Sequence, residues 1–229
     1  MLKDTRIPPM QFREKTCVRG HRSPGKKITE IILPHGVEGG TLHMIRKENL
    51  EATLKAIGYI QSTRTNVFEK KYAQFDCTIE VDFNGNGSIN YPEEKGMKIT
   101  RKTTCNFSQP ENFVVLECIT RLMDKGYRPE HIELEKEWTL GHSDKGGFAD
   151  ILVKDADGKT LFIIECKTSG TEYKKELNNT LNDGGQLFSY WKQEGYCKWL
   201  SLYASDFDGT SVSYTTETID CSDDANILA

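Results

Sequence analysis

The chain has 229 residues, 37% of them hydrophobic and 28% charged, which is typical of a folded globular protein long enough to bury a core. It has no apolar run of the roughly 18 residues that a membrane helix needs, and no apolar segment follows its first residues, so we expect no membrane partner, no signal peptide and a cytoplasmic location. Seven scattered cysteines without a CxxC pair exclude a zinc ribbon and a disulfide framework, and the net charge of -4 disfavours a stand-alone nucleic-acid-binding module more than a catalytic domain.

Residues 1–105 are predicted to form a small accessory α+β domain of unknown role. We expect 1–40 to be irregular apart from one short strand at 29–33. Apolar residues at helical spacing predict a helix over 47–57, which Gly58 ends. Alternating or apolar segments predict three strands, over 66–72, 77–83 and 88–91.

Residues 106–220 are predicted to form a second domain with a different order of elements. An apolar face of helical period predicts a helix over 110–125, ended by Gly126, and a further helix over 184–194 follows a polar stretch. The predicted strands cover 132–140, 148–154, 160–168, 199–205 and 212–216. We interpret the acidic tail at 221–229 as leading to a C-terminal region that the sequence does not contain.

One short motif, an acidic residue two positions before a lysine, stands in a different sequence context from its other occurrences. An acidic residue two positions before a lysine occurs five times. The five acidic residues are Glu69, Glu93, Asp157, Glu165 and Glu172. Only Glu165 ends an apolar run, 161–164, that is typical of a buried central strand. Alternation puts Glu165 and Lys167 on one face of this strand, and charges at the end of a buried strand need a partner or a metal ion.

The preceding strand adds a second carboxylate, that of Asp150. A hairpin-length turn joins the two strands, so the start of the first lies beside the end of the second, and Asp150 falls next to Glu165 across fourteen intervening residues. Two carboxylates can hold a hard divalent ion such as Mg²⁺, which polarises a phosphate and helps to ionise water. Lys167 can position that water or neutralise charge in the transition state. The alternative is a structural carboxylate–lysine pair at the end of the sheet.

These residues resemble a known nuclease core. Gly-Phe-Ala-Asp-Ile at 147–151 and Ile-Glu-Cys-Lys-Thr at 164–168 are similar to the PD-(D/E)xK motif in the nuclease of type I restriction enzyme motor subunits and related restriction–modification fusions. The resemblance covers roughly 113–207, about half of the chain, and Ala149 stands in the place of the proline. It implies a restriction-endonuclease-like fold with Asp150, Glu165 and Lys167 as catalytic residues. Asp150 and Glu165 would be the metal ligands.

Three supporting residues follow from the same resemblance. Gln186 and Tyr190 fit the QxxxY motif that follows this core in RecB-like nucleases and in these restriction subunits, and their spacing puts them on one helix face. In the family the helix before the first core strand often supplies another acidic residue, and Glu117 matches that placement. The alternatives are a chance Gln–Tyr spacing and a helix pair between Glu117 and Arg121.

We therefore predict an α/β (α+β) protein with a mixed central sheet flanked by helices and a smaller N-terminal part. The predicted function is Mg²⁺-dependent hydrolysis of double-stranded DNA, with Mn²⁺ able to substitute, as the endonuclease module of a restriction–modification enzyme. The implied partners are DNA, restriction–modification subunits and a helicase or methyltransferase domain, and ATP or S-adenosylmethionine would act only through that missing region. The alternative is a degenerate nuclease fold that serves as a DNA-binding or subunit-docking module.

Overall fold

The computed structural model describes residues 43–138, 147–183 and 185–222, together with two short strands before residue 31. In these residues the protein is a mixed α+β structure with four helices and thirteen strands. The helices are α1 (Lys47–Ala56), α2 (Glu111–Asp124), α3 (Thr171–Asp183) and α4 (Gly185–Glu194). The strands are β1 (Arg13–Glu14), β2 (Ile28–Glu30), β3 (His43–Met44), β4 (Ile60–Gln61), β5 (Val67–Tyr72), β6 (Cys77–Asp82), β7 (Ser88–Asn90), β8 (Lys98–Ile99), β9 (Ile132–Glu137), β10 (Phe148–Lys154), β11 (Thr160–Cys166), β12 (Trp199–Phe207) and β13 (Val212–Asp220).

Nine of the strands form one mixed sheet. Its order is β1-β2-β13-β12-β11-β10-β9-β8, and β3 pairs with the end of β12. The pairs β11–β12 and β8–β9 are parallel, and the other neighbours are antiparallel. Strands β4 to β7 form a separate antiparallel sheet in chain order. Because β10 and β11 lie in the middle of the larger sheet, both of their faces are covered, which explains their nearly continuous apolar sequences.

A tight turn fixes the register between β10 and β11. The Asp155 carboxylate accepts two backbone N–H hydrogen bonds from within this turn, both at 2.9 Å. Gly158 completes the turn with φ at +79°, a conformation that favours glycine. The resulting hairpin pairs Ile151 with Ile164. The register therefore brings the residue before Ile151 beside the residue after Ile164.

Helix α2 connects the two sheets, and most of its residues are buried. On one side the hydroxyl groups of Tyr59 and Thr120 share a hydrogen bond of 2.9 Å, and the Tyr72 hydroxyl donates to the Thr120 carbonyl at 3.3 Å. On the other side Tyr203 of β12 donates to Glu117 at 2.6 Å. One apolar cluster consequently runs from α1 and the four-stranded sheet through α2 to β10, β11 and β12.

The two predicted parts of the chain share this core. Strands β1, β2, β3 and β8 all precede residue 105, yet they belong to the larger sheet. A boundary at residue 105 divides the four-stranded sheet from α2, but it does not divide two independent cores. A second apolar cluster, which includes Ile163, Leu187 and Leu200, lies on the opposite face of the larger sheet beneath α3 and α4.

The predicted helices over 47–57 and 110–125 are confirmed, and so is the part of the 184–194 helix that the structure describes. The predicted strands are also present where the structure describes them, although β13 is longer than expected. Most of the predicted irregular segment 1–40, residues 31–33 of the predicted strand over 29–33, residues 139–140 and the tail at 223–229 lie outside the described residues. None of the described helices is long and apolar enough to cross a membrane.

Helix α3 is the one described helix that the sequence does not reveal, because it is read there as a polar stretch; the two-residue strands β1, β3, β4 and β8 are not predicted either. Its buried positions are Tyr173, Glu176 and Thr180, which recur at helical spacing. Two of these three residues are polar. The apolar periodicity by which an amphipathic helix is recognised is therefore weak in this segment.

Substitution of Ile119 tests whether the two sheets fold as one unit. Ile119 lies fully buried in α2 within the shared cluster, so Ile119→Ala should lower the free energy of unfolding by about 2–5 kcal/mol. Urea denaturation followed by circular dichroism should still give a single transition. Ile60→Ala is the control, since this side chain is 61% exposed and its loss should change stability by no more than about 0.5 kcal/mol. Two separate transitions would contradict the shared core.

Candidate functional site

The hairpin register brings two carboxylates together at the end of β11. Ile151 pairs with Ile164 in the antiparallel hairpin. Asp150, one residue before Ile151, therefore stands opposite Glu165, one residue after Ile164. The Asp150 Oδ2 atom accepts the backbone N–H of Cys166 at 2.7 Å. This hydrogen bond ties the Asp150 side chain to the strand that carries Glu165.

Lys167 joins a third carboxylate to this pair. Its Nζ atom donates to Glu165 Oε1 at 2.6 Å and lies 3.2 Å from Glu111 Oε1, at the start of α2. The other oxygen of Glu165, Oε2, is buried and has no hydrogen-bond partner in the described part of the chain. Asp150, Glu165, Lys167 and Glu111 are called the acidic cluster below.

Burial and mutual repulsion disfavour the charged forms of the two strand carboxylates. Burial, followed by the neighbouring Glu165 charge, raises the pKa of Asp150 well above its usual value. Burial also raises the pKa of Glu165 to about 7, although Lys167 opposes this shift. Burial disfavours the charge on Lys167 as well, but the three surrounding carboxylates outweigh it and raise the pKa of that ammonium.

The cluster suits a small divalent cation. Glu165 Oε2 lacks a partner, and a buried carboxylate oxygen without one is unfavourable. A hard cation with oxygen ligands, such as Mg²⁺, would bind both Asp150 and Glu165 in their charged forms. Among the described residues no three His, Cys, Asp or Glu side chains are grouped as a metal site. Asp150 and Glu165 would therefore be the two protein ligands of the cation, and water and phosphate would complete its coordination.

Tyr190 of α4 lies near the acidic cluster. Its ring is buried and stacks on Trp138, with centroids 5.2 Å apart. After burial, the charges of Glu165 and Asp150 are the main causes that raise the pKa of Tyr190, so its hydroxyl lies within their electrostatic range. Gly147 makes this position possible, because a Cβ atom there would collide with the Tyr190 ring.

Gln186 is placed differently from Tyr190. It is exposed in the first turn of α4, and no hydrogen bond joins it to Glu165 or Lys167 in the described part of the chain. An exposed amide at this point can contact a bound molecule. Gln186 does not orient Lys167 when no other molecule is bound.

Glu117 lies apart from the acidic cluster. Its Oε1 atom accepts from Arg121 Nε at 3.0 Å, and its Oε2 atom accepts from the Tyr203 hydroxyl. The alternative pairing with Arg121 is thus what the structure contains, although the pair is buried rather than solvated. The carboxylate of α2 that reaches Lys167 is Glu111, nearly two turns earlier.

Glu135 is a second acidic residue that the sequence did not single out. The register between β9 and β10 pairs Ala149 with Lys136 and Ile151 with Leu134, so Glu135 stands opposite Asp150. It is buried and has a positive φ of +52°. The acidic helix start at Glu111 was visible in the sequence. No sequence signal distinguished Glu135, because the 132–140 segment offers several glutamates at alternating positions.

Comparison with known proteins adds no further assignment. No protein-family model matches the chain, and no curated protein sequence matches it. The resemblance to nucleases therefore rests on the residues of the motif.

The raised pKa of Glu165 makes stability depend on pH. Between its ordinary value of 4.5 and its folded value of about 7, the folded protein binds more protons than the unfolded chain. The free energy of unfolding should therefore fall as pH rises through this window, by at most about 3 kcal/mol. Glu165→Gln should flatten the fall, as measured by urea denaturation from about pH 5 to about pH 8. Mg²⁺ should restore stability at the higher pH in the wild type alone. An equal slope in both proteins would contradict this assignment.

Proposed function

We propose that the chain is the Mg²⁺-dependent endonuclease module of a restriction–modification enzyme, with a restriction-endonuclease-like fold that hydrolyses phosphodiester bonds in double-stranded DNA. The observation that supports it best is the state of Glu165. One oxygen is held by Lys167, and the other is buried without a partner beside Asp150. A purely structural ion pair has no need for a second, half-buried carboxylate that repels the first.

Each residue of the acidic cluster has a role in this proposal. Asp150 and Glu165 would hold the cation, which when bound supplies polarisation of the phosphate and acidification of water. Glu111 and Glu165 fix the Lys167 ammonium from two sides. Lys167 can then orient the attacking water or neutralise charge on the phosphate oxygens. Hydrolysis adds the water oxygen to phosphorus, breaks one phosphorus–oxygen bond and gives a proton to the leaving oxygen.

The proposal assigns the duplex affinity largely to other parts of a longer enzyme. A net charge of -4 gives little counterion release on DNA. A helicase or methyltransferase domain tethered to this module would supply the missing affinity through a high effective concentration. ATP or S-adenosylmethionine would then serve that domain, and the whole enzyme would act in the cytoplasm.

Loss of the catalytic lysine tests the proposal. Lys167→Ala should abolish Mg²⁺-dependent cleavage of duplex DNA while the circular dichroism spectrum stays the same, and Asp150→Ala should in addition lose Mg²⁺ binding measured by calorimetry. Lys71→Ala is the matched control, since Lys71 also follows a glutamate by two residues and contacts it at 2.9 Å, but its side chain is exposed. The control should cleave like the wild type.

Two outcomes would decide against a nuclease. Normal cleavage by Lys167→Ala would refute the catalytic assignment. Duplex binding without any cleavage by the wild type, with Mg²⁺ or Mn²⁺ present, would favour the degenerate DNA-binding or docking module.

The helix residues should act on positioning rather than on metal binding. Tyr190→Phe keeps the ring that stacks on Trp138 but removes the hydroxyl, and Gln186→Ala removes an exposed amide. Both should slow cleavage by up to about 100-fold, because misplacement of the substrate alone can have that effect. Calorimetry should show unchanged Mg²⁺ affinity in both variants. If both variants cleaved DNA at the wild-type rate, the spacing of Gln186 and Tyr190 would be a coincidence rather than a functional motif.

A further inference from the structure

A pocket of about 370 Å³ opens beside the acidic cluster. This polar pocket is lined mainly by hydrogen-bonding side chains, among them Thr104, Ser108, Gln109, Glu111, Glu135 and Asp150. Its volume falls within the range of about 300–1,000 Å³ that is usual for small-ligand sites. Because Glu111 and Asp150 belong to both, a group bound in the pocket would be adjacent to the acidic cluster.

The wall of the pocket is held in place by side-chain hydrogen bonds. Asn112 of α2 donates from Nδ2 to the carbonyl oxygens of Thr103 and Asn106, at 3.0 Å and 2.9 Å. Asn106 in turn accepts the backbone N–H of Ser108 at 2.9 Å. These bonds fix the 103–108 segment against α2 before any ligand binds.

Glu135 presents an acceptor to this pocket. It is only 8% exposed, and Thr103 hydrogen-bonds its carboxylate. A non-glycine residue with φ at +52° is held in a conformation that persists only when its surroundings enforce it. Glu135 lines the pocket in this conformation, and its backbone position lies opposite that of Asp150.

Thr104 presents an unused hydroxyl group. It is 3% exposed, lines the same pocket, and its Oγ1 atom has no hydrogen-bond partner within normal range, although the neighbouring Cys105 thiol interacts with it weakly. A buried hydroxyl without a partner is unfavourable in the free protein. A ligand with a hydrogen-bonding atom would satisfy it.

We propose that the polar pocket binds the nucleobase next to the scissile phosphate, and that it selects cytosine and adenine over thymine, because on their Watson–Crick edge these two bases combine an exocyclic amino group with an acceptor ring nitrogen. This inference rests on the proposed nuclease function. A carboxylate such as Glu135 accepts hydrogen bonds from a base amino group, and the Thr104 hydroxyl can donate to the adjacent ring nitrogen. None of the described residues that line this pocket is a lysine or an arginine, so its lining suits a neutral base better than a phosphate. The base must leave the duplex stack to enter.

Neutral nucleosides test the pocket directly. The ¹⁵N-labelled full chain should show saturable amide shifts within 103–112 on titration with 2′-deoxycytidine or 2′-deoxyadenosine. Thymidine should bind about tenfold more weakly, because one hydrogen bond to a charged acceptor is lost. Inorganic phosphate should produce no shifts there. Absent shifts with all nucleosides, or equal affinity for thymidine, would overturn the proposal.

Two variants separate binding from folding. Glu135→Gln should remove most of the discrimination against thymidine, whereas Glu133→Gln should keep it. Glu133 is an equally buried glutamate of the same strand that contacts Lys136 and Lys154 instead. Thr104→Val should keep or raise stability, since it removes an unpartnered hydroxyl, yet weaken deoxycytidine binding about fivefold. Unchanged affinity in Thr104→Val would count against the pocket.

Cleavage distinguishes this proposal from the function on which it rests. Sequencing of cleaved DNA ends should reveal a bias against thymine beside the cut in the wild type and a reduced bias in Glu135→Gln. Cleavage without any base bias would overturn the pocket assignment alone. Selective nucleoside binding without cleavage would overturn the nuclease function and leave the pocket as a nucleoside site.

Discussion

Two carboxylates side by side at the end of a buried hairpin are the constraint around which the rest of the site is arranged. Asp150 and Glu165 repel each other where little water can screen them. Their position follows from the hairpin register, because a slip of one residue would send each side chain to the other face of the sheet. The Cys166 N–H and the Lys167 ammonium offset part of the repulsion. The buried second oxygen of Glu165 remains for a cation.

Helix α2 serves both the stability of the protein and the acidic cluster. Its middle carries the buried Glu117–Arg121 pair and the hydrogen bonds of Thr120, which connect the two sheets. Its first turn carries Glu111, which reaches Lys167. The four-stranded sheet packs on this helix within the shared core. The four-stranded sheet therefore supports the helix that positions Glu111.

A row of three carboxylates crosses adjacent strands at the edge of the cluster. Glu135, Asp150 and Glu165 stand on β9, β10 and β11 in register. Of these three residues Glu135 has a left-handed backbone, and both Glu135 and Asp150 line the polar pocket with its hydroxyl and amide side chains. In the proposed enzyme this arrangement divides the work spatially, with chemistry at Glu165 and base recognition at Glu135.

The sequence by itself determined the hairpin and its chemistry. The apolar run before Glu165, the short turn and the strand alternation sufficed to pair Asp150 with Glu165, because these effects act within about twenty residues. It also located the longer strands and every described helix apart from α3, whose buried Glu176 and Thr180 hide its period. The two-residue strands β1, β3, β4 and β8 are too short to show a period in the sequence. Only the tertiary structure decided that Glu111 rather than Glu117 reaches Lys167 and that Glu135 lies opposite Asp150. Those contacts depend on how a helix and a distant strand pack on the hairpin, and local patterns carry no information about that packing.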